Sequence, residues 1–175
     1  MIMFNVRKIT SPDVAPRPAD AETRGTDEHH ESLRLWLRLL TCTQMVEREV
    51  RARLRERFAI TLARFDLLAQ LERHPQGLRM GELSRRMMVT GGNVTGLTNE
   101  LVGEGLVART PLPEDRRAFA VCLTAKGKAA FDAMAAEHEH WIIEMLAGVA
   151  PPNRADLYQL LGTLKHSVAR LSEGR

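Results

Sequence analysis

The apolar residues near both ends of the chain recur at the spacing of an α-helix. Between about His29 and Arg57 they mostly return every three or four positions, which predicts one long amphipathic helix. From about Asn153 to Leu171 a leucine-rich stripe repeats in the same way, with no neighbouring apolar segment to cover it. A stripe of this kind at a chain end is typical of a helix that packs against a second subunit.

Two further helices are predicted from residues that favour helix starts and breaks. Thr61 is a candidate N-cap for a helix that ends at the break at residues 74–77. Thr124 is a second candidate N-cap, for a helix that runs to about Val149, and the Pro151–Pro152 pair marks the break after it. The chain therefore carries long helices on either side of its centre.

The centre of the chain, residues 80–124, has a different and denser pattern. Residues 80–87 predict a short helix, and a second helix begins at Thr90. A strand that ends near Arg109 and a returning strand from Phe119 enclose a charged turn. This order predicts a winged helix-turn-helix, and with the flanking helices a mainly α fold with a small β-wing and a helical dimerisation region.

The second central helix has an unusual polar face. With Val94 at the centre of the buried side, Leu97 and Leu101 fall within about 60° of it. The opposite side carries small, hydroxyl and amide residues, which let the backbone approach another surface and can hydrogen-bond base edges or phosphates. The candidate DNA-binding residues here are Thr90, Gly91, Gly92, Asn93, Thr95, Gly96 and Asn99.

The glycines of this helix need a reason, because each costs about 0.8–1 kcal/mol relative to alanine inside a helix. One reason is that the amino end of a recognition helix approaches a phosphate and enters the major groove. The alternative is a loosely formed turn at the start of a helix.

Two arginine pairs flank the recognition helix in sequence. Arg85 and Arg86 face outward from the first central helix and suit phosphate contacts, although a solvated charged pair is the alternative. In the predicted turn, Arg116 and Arg117 can reach a phosphate or the minor groove, and Asp115 can brace Arg117. An ordinary hydrophilic hairpin tip is the other interpretation, but its position just after the glycine-bearing helix favours DNA.

The distribution of charge supports the centre of the chain as the DNA-binding region, but the net charge does not identify the partner. The formal net charge is only +3, and all of that surplus lies in residues 78–128, which hold eight basic and five acidic side chains. Cys42 and Cys122 lie far apart without a CxxC pair, which argues against a disulfide framework and a structural zinc site. We therefore expect a cytoplasmic protein, and the absence of signal-peptide or bilayer-length apolar segments argues against secretion and membrane insertion.

No metal, cofactor or enzymatic function is expected. His138 and His140 are two positions apart on a predicted helix and so point about 200° apart, which prevents joint chelation. The sequence has no phosphate loop, nucleophile motif or recognisable pair of carboxylates. A winged helix used for protein assembly is a further alternative, and it predicts no salt-dependent affinity for DNA.

Two motifs together resemble the MarR family of bacterial transcription regulators. The first is LSRRMMVTGGNVTGLTNELVGEGLV, and the second is the wing signature in which Asp115 and Arg117 precede Leu123 and Thr124. The resemblance covers about residues 30–172. It implies a homodimer with intertwined first and last helices, a palindromic double-stranded DNA operator, and usually repression relieved by a small, often aromatic ligand.

The composition of the start of the chain and the resemblance together imply a domain layout. Residues 1–27, rich in proline and small or charged residues, are expected to form a flexible tail. Residues 28–175 form a single domain, with the DNA-binding lobe at residues 62–124 and the dimerisation helices at residues 28–60 and 125–172.

An effector site is implied between the dimer helices and the DNA-binding lobe. Its expected lining residues are Trp36, Arg38, Arg64 and Phe65, although core packing is the alternative for both aromatic side chains. The helix GGNVTGLTNELV is most similar to regulators of aromatic-acid breakdown, including hydroxycinnamate types that respond to CoA thioesters.

Redox sensing is a separate alternative. In the peroxide-sensing branch of the family the reactive cysteine falls near Leu37 of this chain, five residues before Cys42. We therefore expect Cys42 to be a buried small residue and Cys122 to lie on a wing strand. A redox-responsive regulator acting through Cys42 or Cys122 would require a depressed thiol pKa, which the sequence does not show.

Overall fold

A computed structural model describes residues 30–112 and 115–173, and the predicted tail at residues 1–27 lies outside these ranges. Six helices and three short strands occupy the described part of the chain, which confirms the predicted mainly α fold with a small β-wing. In chain order they are α1 (Glu31–Phe58), α2 (Leu62–Glu72), β1 (Leu78–Arg79), α3 (Met80–Met87), α4 (Gly91–Gly103), β2 (Val107–Leu112), β3 (Asp115–Leu123), α5 (Ala125–Met145) and α6 (Pro151–Glu173).

The chain divides into two compact units, one up to Met45 and one from Val46 onward. In its described part the first unit consists of the amino-terminal portion of α1, where Leu33, Leu35 and Trp36 are exposed. The second unit contains the hydrophobic core. No described helix combines the length and apolar character needed to cross a membrane.

The core of the second unit joins the end of α1 to the helix-turn-helix, the sheet and α5. Each of these elements contributes buried side chains, so the helix-turn-helix and the sheet share one core with the helices that flank them. Representative fully or almost fully buried residues are Leu54, Leu68, Leu83, Val94, Leu101, Val121 and Trp141.

The two predicted N-caps are confirmed. The hydroxyl of Thr61 accepts a hydrogen bond from the amide of Arg64 at 3.3 Å, and the hydroxyl of Thr124 accepts one from the amide of Gly127 at 2.9 Å. The bond to Gly127 satisfies an amide at the start of its helix, whereas the amide of Arg64 also donates to the backbone carbonyl oxygen of Thr61 at 3.1 Å.

The predicted end of the fifth helix is wrong. It stops at Met145, and the Pro151–Pro152 pair begins α6 instead of lying in the break. Proline is tolerated in the first turn because its missing N–H would have no helical acceptor there.

The sheet has the order β1-β3-β2 and is antiparallel throughout. β1 was not predicted, because two residues are too few to show an alternating pattern. The wing strands are also longer than predicted, and residues 115–118 belong to β3 instead of to the turn. Outside the core, the two strands of a hairpin stay joined by backbone hydrogen bonds and need no alternation of apolar and polar side chains. The apolar pattern in the sequence therefore ends before the strands end.

Candidate nucleic-acid interface

Helix α4 has a sharply divided surface. Val94 and Leu101 are fully buried, whereas Gly92, Thr95, Gly96 and Asn99 are exposed, as are Thr90, Gly91 and Asn93 at its start. The exposed side is therefore the one that the helical phase predicts, and Glu100, which is also exposed, is the one charged residue of α4. The contact of this exposed side with DNA stays a prediction.

Thr98 is a buried polar residue of α4 to which the sequence assigned no role. Its side chain is fully buried, and the hydroxyl donates to the sulfur of Met80 at 3.8 Å. Thr98 lies about 40° from Val94 on the helix, so the helical phase places it on the buried side. It anchors α4 against the start of α3.

The glycines of α4 are not required by internal packing. A Cβ added at Gly91, Gly92 or Gly96 would meet no described atom within 4 Å. Because these positions are open, their lack of side chains is consistent with close approach by an external surface. Such an approach would bring the backbone of α4 near its ligand.

The amino end of α4 retains donors for an anion. Thr90 occupies the N-cap position but its side chain makes no capping hydrogen bond, and the first turn holds no acidic residue. First-turn amides and the positive end of the helix dipole favour a phosphate at this location. The hydroxyl of Thr95 donates back to the carbonyl oxygen of Gly91 at 2.8 Å, so its lone pairs are what it offers outward.

Helix α3 presents the first arginine pair. Arg85 and Arg86 are both exposed, as predicted, but Arg86 is engaged by Glu82 through its Nε at 3.0 Å and its Nη2 at 2.7 Å. This hydrogen bonding lowers the pKa of Glu82. Arg86 therefore faces outward and forms an ion pair within its helix, and its contact with a phosphate stays a prediction.

A tight turn joins α3 to α4. Met88 adopts a left-handed conformation with φ of 54°, and its side chain is 92% exposed. The hydroxyl of Ser84 donates to the carbonyl oxygen of Val89 at 2.6 Å. This bond closes the turn and sets the direction in which α4 leaves it.

The carboxyl end of α4 is held by two cations from neighbouring helices. Arg64 of α2 forms an ion pair with the carboxylate of Glu104, and Lys126 of α5 donates to the carbonyl oxygen of Glu104 at 2.8 Å. Lys126 thereby satisfies a carbonyl at the negative end of the helix. Arg64 Nε is buried and has no hydrogen-bond partner within the described structure.

Asn99 is linked to the wing by a residue that sequence reasoning did not single out. The guanidinium Nη2 of Arg109 in β2 donates to Oδ1 of Asn99, and the guanidinium carbon lies 5.3 Å from the centroid of the Phe119 ring. Only the fold brings α4, β2 and β3 together here, so spacing in the sequence gave no signal for the contact.

Three further residues that are predicted to contact DNA belong to the wing. The side chains of Asp115, Arg116 and Arg117 lie outside the described residues, and only their place in the backbone of β3 is defined. Their contact with DNA stays a prediction from the sequence.

The predicted effector residues are distributed over both units. In the first, Trp36 is 54% exposed, so it does not pack in a core formed by the described residues, and Arg38 lies two residues further along α1. In the second, Phe65 is buried and its ring lies 5.6 Å from that of Phe131 and 5.2 Å from that of His138. Core packing thus accounts for Phe65.

The cysteines depart from expectation in one respect. Cys42 is exposed on α1 and not buried, because it lies on a part of the helix that the core does not cover, whereas Cys122 is partly buried in β3. Over the described ranges, His, Cys, Asp and Glu side chains form no group of three that could hold a metal ion.

Comparison with known proteins agrees with this geometry. The MarR family profile matches residues 60–118. The transcriptional activatory protein BadR of Rhodopseudomonas palustris is 32% identical over 104 residues, which cover 58% of this chain and 59% of BadR. The chain spans about three fifths to two thirds of the length of the first curated relatives that it matches.

Solved structures extend the likeness over most of the chain. A MarR family transcriptional regulator from Silicibacter pomeroyi is 31% identical with a TM-score of 0.69, covering 82% of this chain and 99% of that one. A mutant of MarR from E. coli complexed with operator DNA is 25% identical with a TM-score of 0.67, covering 79% and 99%. These relatives are transcriptional regulators and not enzymes.

Proposed function

Because this chain belongs to the MarR family of transcriptional regulators, we propose that it binds a palindromic DNA operator as a homodimer and controls transcription in the cytoplasm. The observation that carries the proposal is the exposed face of α4 formed by Gly92, Thr95, Gly96 and Asn99. A face of glycine, threonine and asparagine residues fits the floor of the major groove, where hydroxyl and amide groups can read base edges.

The surrounding elements supply the phosphate contacts in this proposal. The amino end of α4 receives one phosphate, and Arg85 and Arg86 of α3 contact the backbone beside it. Arg116 and Arg117 of the wing enter or border the neighbouring minor groove. Phosphate contacts place the protein on the duplex, and α4 selects the sequence.

The homodimer is supported by the outer face of α6. Leu160 and Leu171 are 68% and 72% exposed, and Leu157, Leu161 and Leu164 on the same helix are also exposed. A row of exposed leucines this long costs solvation free energy unless another surface covers it. A second copy of α6 provides a matching apolar surface and places two recognition helices on one operator.

We further propose that a small aromatic ligand or its CoA thioester releases the repressor from DNA, with Arg64 near the ligand. Arg64 also forms an ion pair with Glu104 at the end of α4. This contact supports a role for Arg64 in transmitting ligand binding to the recognition helix. Activation is the second candidate output, favoured by the similarity to BadR, which is named as an activator.

A mobility-shift assay with the DNA that flanks the gene tests this function. Specific binding should weaken steeply as salt rises, by about 1,000-fold or more between 50 and 200 mM for six or more phosphate contacts. Arg117→Ala should weaken binding to all sequences, whereas Asn99→Ala should change sequence preference more than the salt slope. Absence of retention on any operator-like duplex would contradict DNA binding and favour a winged helix used for protein assembly.

A further inference from the structure

The contact between Arg109 and Asn99 determines which way the side-chain amide of Asn99 is turned. An arginine guanidinium carries only hydrogen-bond donors. The amide atom that faces Arg109 must therefore be the acceptor Oδ1, and the two hydrogens on Nδ2 are directed elsewhere. Asn99 lies on the exposed face of α4, so this orientation decides which of its groups is available to a ligand.

The hairpin explains how Arg109 reaches α4. Arg109 lies opposite Val121 in the β2–β3 register, and Phe119 lies two residues before Val121. Residues paired across two strands share one face of the sheet, and that face is buried at Val121. Arg109 and Phe119 continue the same face beyond the core, where both become exposed.

Phe119 gives the guanidinium a second support. Its ring centroid is 5.3 Å from the guanidinium carbon, which is within the range of a cation–π contact. Arg109 is thus held by the ring on its own hairpin while it donates to the recognition helix. A side chain held at two points loses less freedom on binding than one that is extended into solvent.

We propose that Arg109 is a specificity-determining positioning residue, which fixes the amide of Asn99 so that Asn99 presents its Nδ2 donors to a base edge. This inference rests on the proposed DNA-binding function. An asparagine that uses both ends of its amide pairs with adenine, whereas one that offers only donors selects acceptor atoms such as purine N7, guanine O6 or thymine O4. Arg109 therefore biases the base pair that Asn99 reads without itself needing to contact that base.

The test is selection from a library of duplexes with a randomised central segment, using the full chain. Four proteins are compared: the wild type, Asn99→Ala, Arg109→Ala and the double variant. We expect Arg109→Ala to reduce the preference at one base pair by about threefold to tenfold, the value of one hydrogen bond. Asn99→Ala should affect the same base pair, and the double variant should match Asn99→Ala alone.

Two additional variants make the experiment specific. Phe119→Leu removes the ring but keeps apolar bulk, and it should shift the same base pair in the same direction by a smaller factor. Arg48→Ala removes an exposed arginine of α1 and should leave the selected sequence unchanged. Equal melting temperatures across the set would exclude loss of folding as the cause.

The same selection experiment can contradict the proposed role of Arg109. If Arg109→Ala weakens all sequences equally and lowers only the salt slope, by about 0.9 per lost phosphate contact, Arg109 is a phosphate ligand and not a positioning residue. An effect at a base pair that Asn99→Ala does not alter, or additive effects in the double variant, also overturn it. Failure of the wild type to enrich any sequence would instead contradict the proposed function itself.

Discussion

A Cβ atom placed on Gly127 would lie 1.8 Å from the carbonyl oxygen of Leu106, so the first turn of α5 touches the backbone that leads into β2. The same junction is fastened by Thr124, whose hydroxyl donates toward the carbonyl oxygens of Gly105 and Leu106 at 2.7 and 3.2 Å. The backbones of the wing and of α5 are therefore in direct contact, and no side chain fits between them.

Gly127→Ala should destabilise the fold, because the added methyl group meets a backbone atom that cannot move aside. Overpacking of this kind costs about 1–3 kcal/mol, and the backbone contact favours the upper end of that range. Chemical denaturation monitored by circular dichroism measures the change. Gly81→Ala on α3 is the matched control, since a Cβ there meets no atom within 4 Å, and an unaltered stability for Gly127→Ala would contradict the close contact.

Gly96→Ala should have opposite effects on stability and on DNA affinity. The position is exposed and open, so alanine should stabilise α4 by about 0.5–1 kcal/mol. The same methyl group would stand between α4 and the DNA and reduce operator affinity by about tenfold, the loss of one base contact. Thermal melting measures the change in stability, and a binding isotherm on the same preparation measures the change in operator affinity. An unchanged isotherm would contradict the proposed close approach of DNA at Gly96.

Leu161→Glu should dissociate the proposed dimer. The residue is 40% exposed on the leucine-bearing face of α6, where a carboxylate would be buried against a second copy. A monomer with one recognition helix should bind the palindrome about 100-fold more weakly, because it loses the effective concentration of the linked half-site. Light scattering after gel filtration gives the mass.

Gln159→Glu is the control for that experiment. It adds the same charge to an exposed position on the opposite side of α6, about 200° from Leu161. Gln159→Glu should remain dimeric. A Leu161→Glu protein that keeps the dimer mass would place the interface elsewhere.

Protonation of His138 should reduce stability in mild acid. Burial lowers the pKa of His138, and the nearby carboxylate of Asp66 opposes this by a smaller amount. Since the folded state binds the proton less tightly than the unfolded state, stability is lost as the pH falls below about 6.5 toward the folded pKa. His138→Gln should flatten the stability profile between about pH 7 and 5, whereas His140→Gln, an exposed change on the same helix, should keep the wild-type slope.

The sequence predicts those parts of the fold that depend on local chemistry. Thr61 and Thr124 are caps because a hydroxyl before a helix satisfies its first amides, wherever the helix later packs. The buried side of α4 follows in the same way from the phase of Val94 and Leu101. These features needed only neighbouring residues, and the structure confirms them.

Features that depend on distant partners could not be predicted. β1 exists because two residues happen to pair with β3, and Arg109 meets Asn99 only after the wing folds back on α4. The exposure of Cys42 likewise depends on which part of α1 the core covers. In each case the deciding contact joins elements whose separation along the chain hides it.

Recognition and support are separated on α4. The side chains that hold the helix, such as Val94, Thr98 and Leu101, occupy one side, and those proposed to read DNA, such as Thr95 and Asn99, occupy the other. Under the proposed function, substitutions on the outer side can therefore change the operator sequence at little cost to folding. This separation makes the domain evolvable, since a duplicated copy could acquire a new set of target genes through a few exposed positions while its scaffold stays intact.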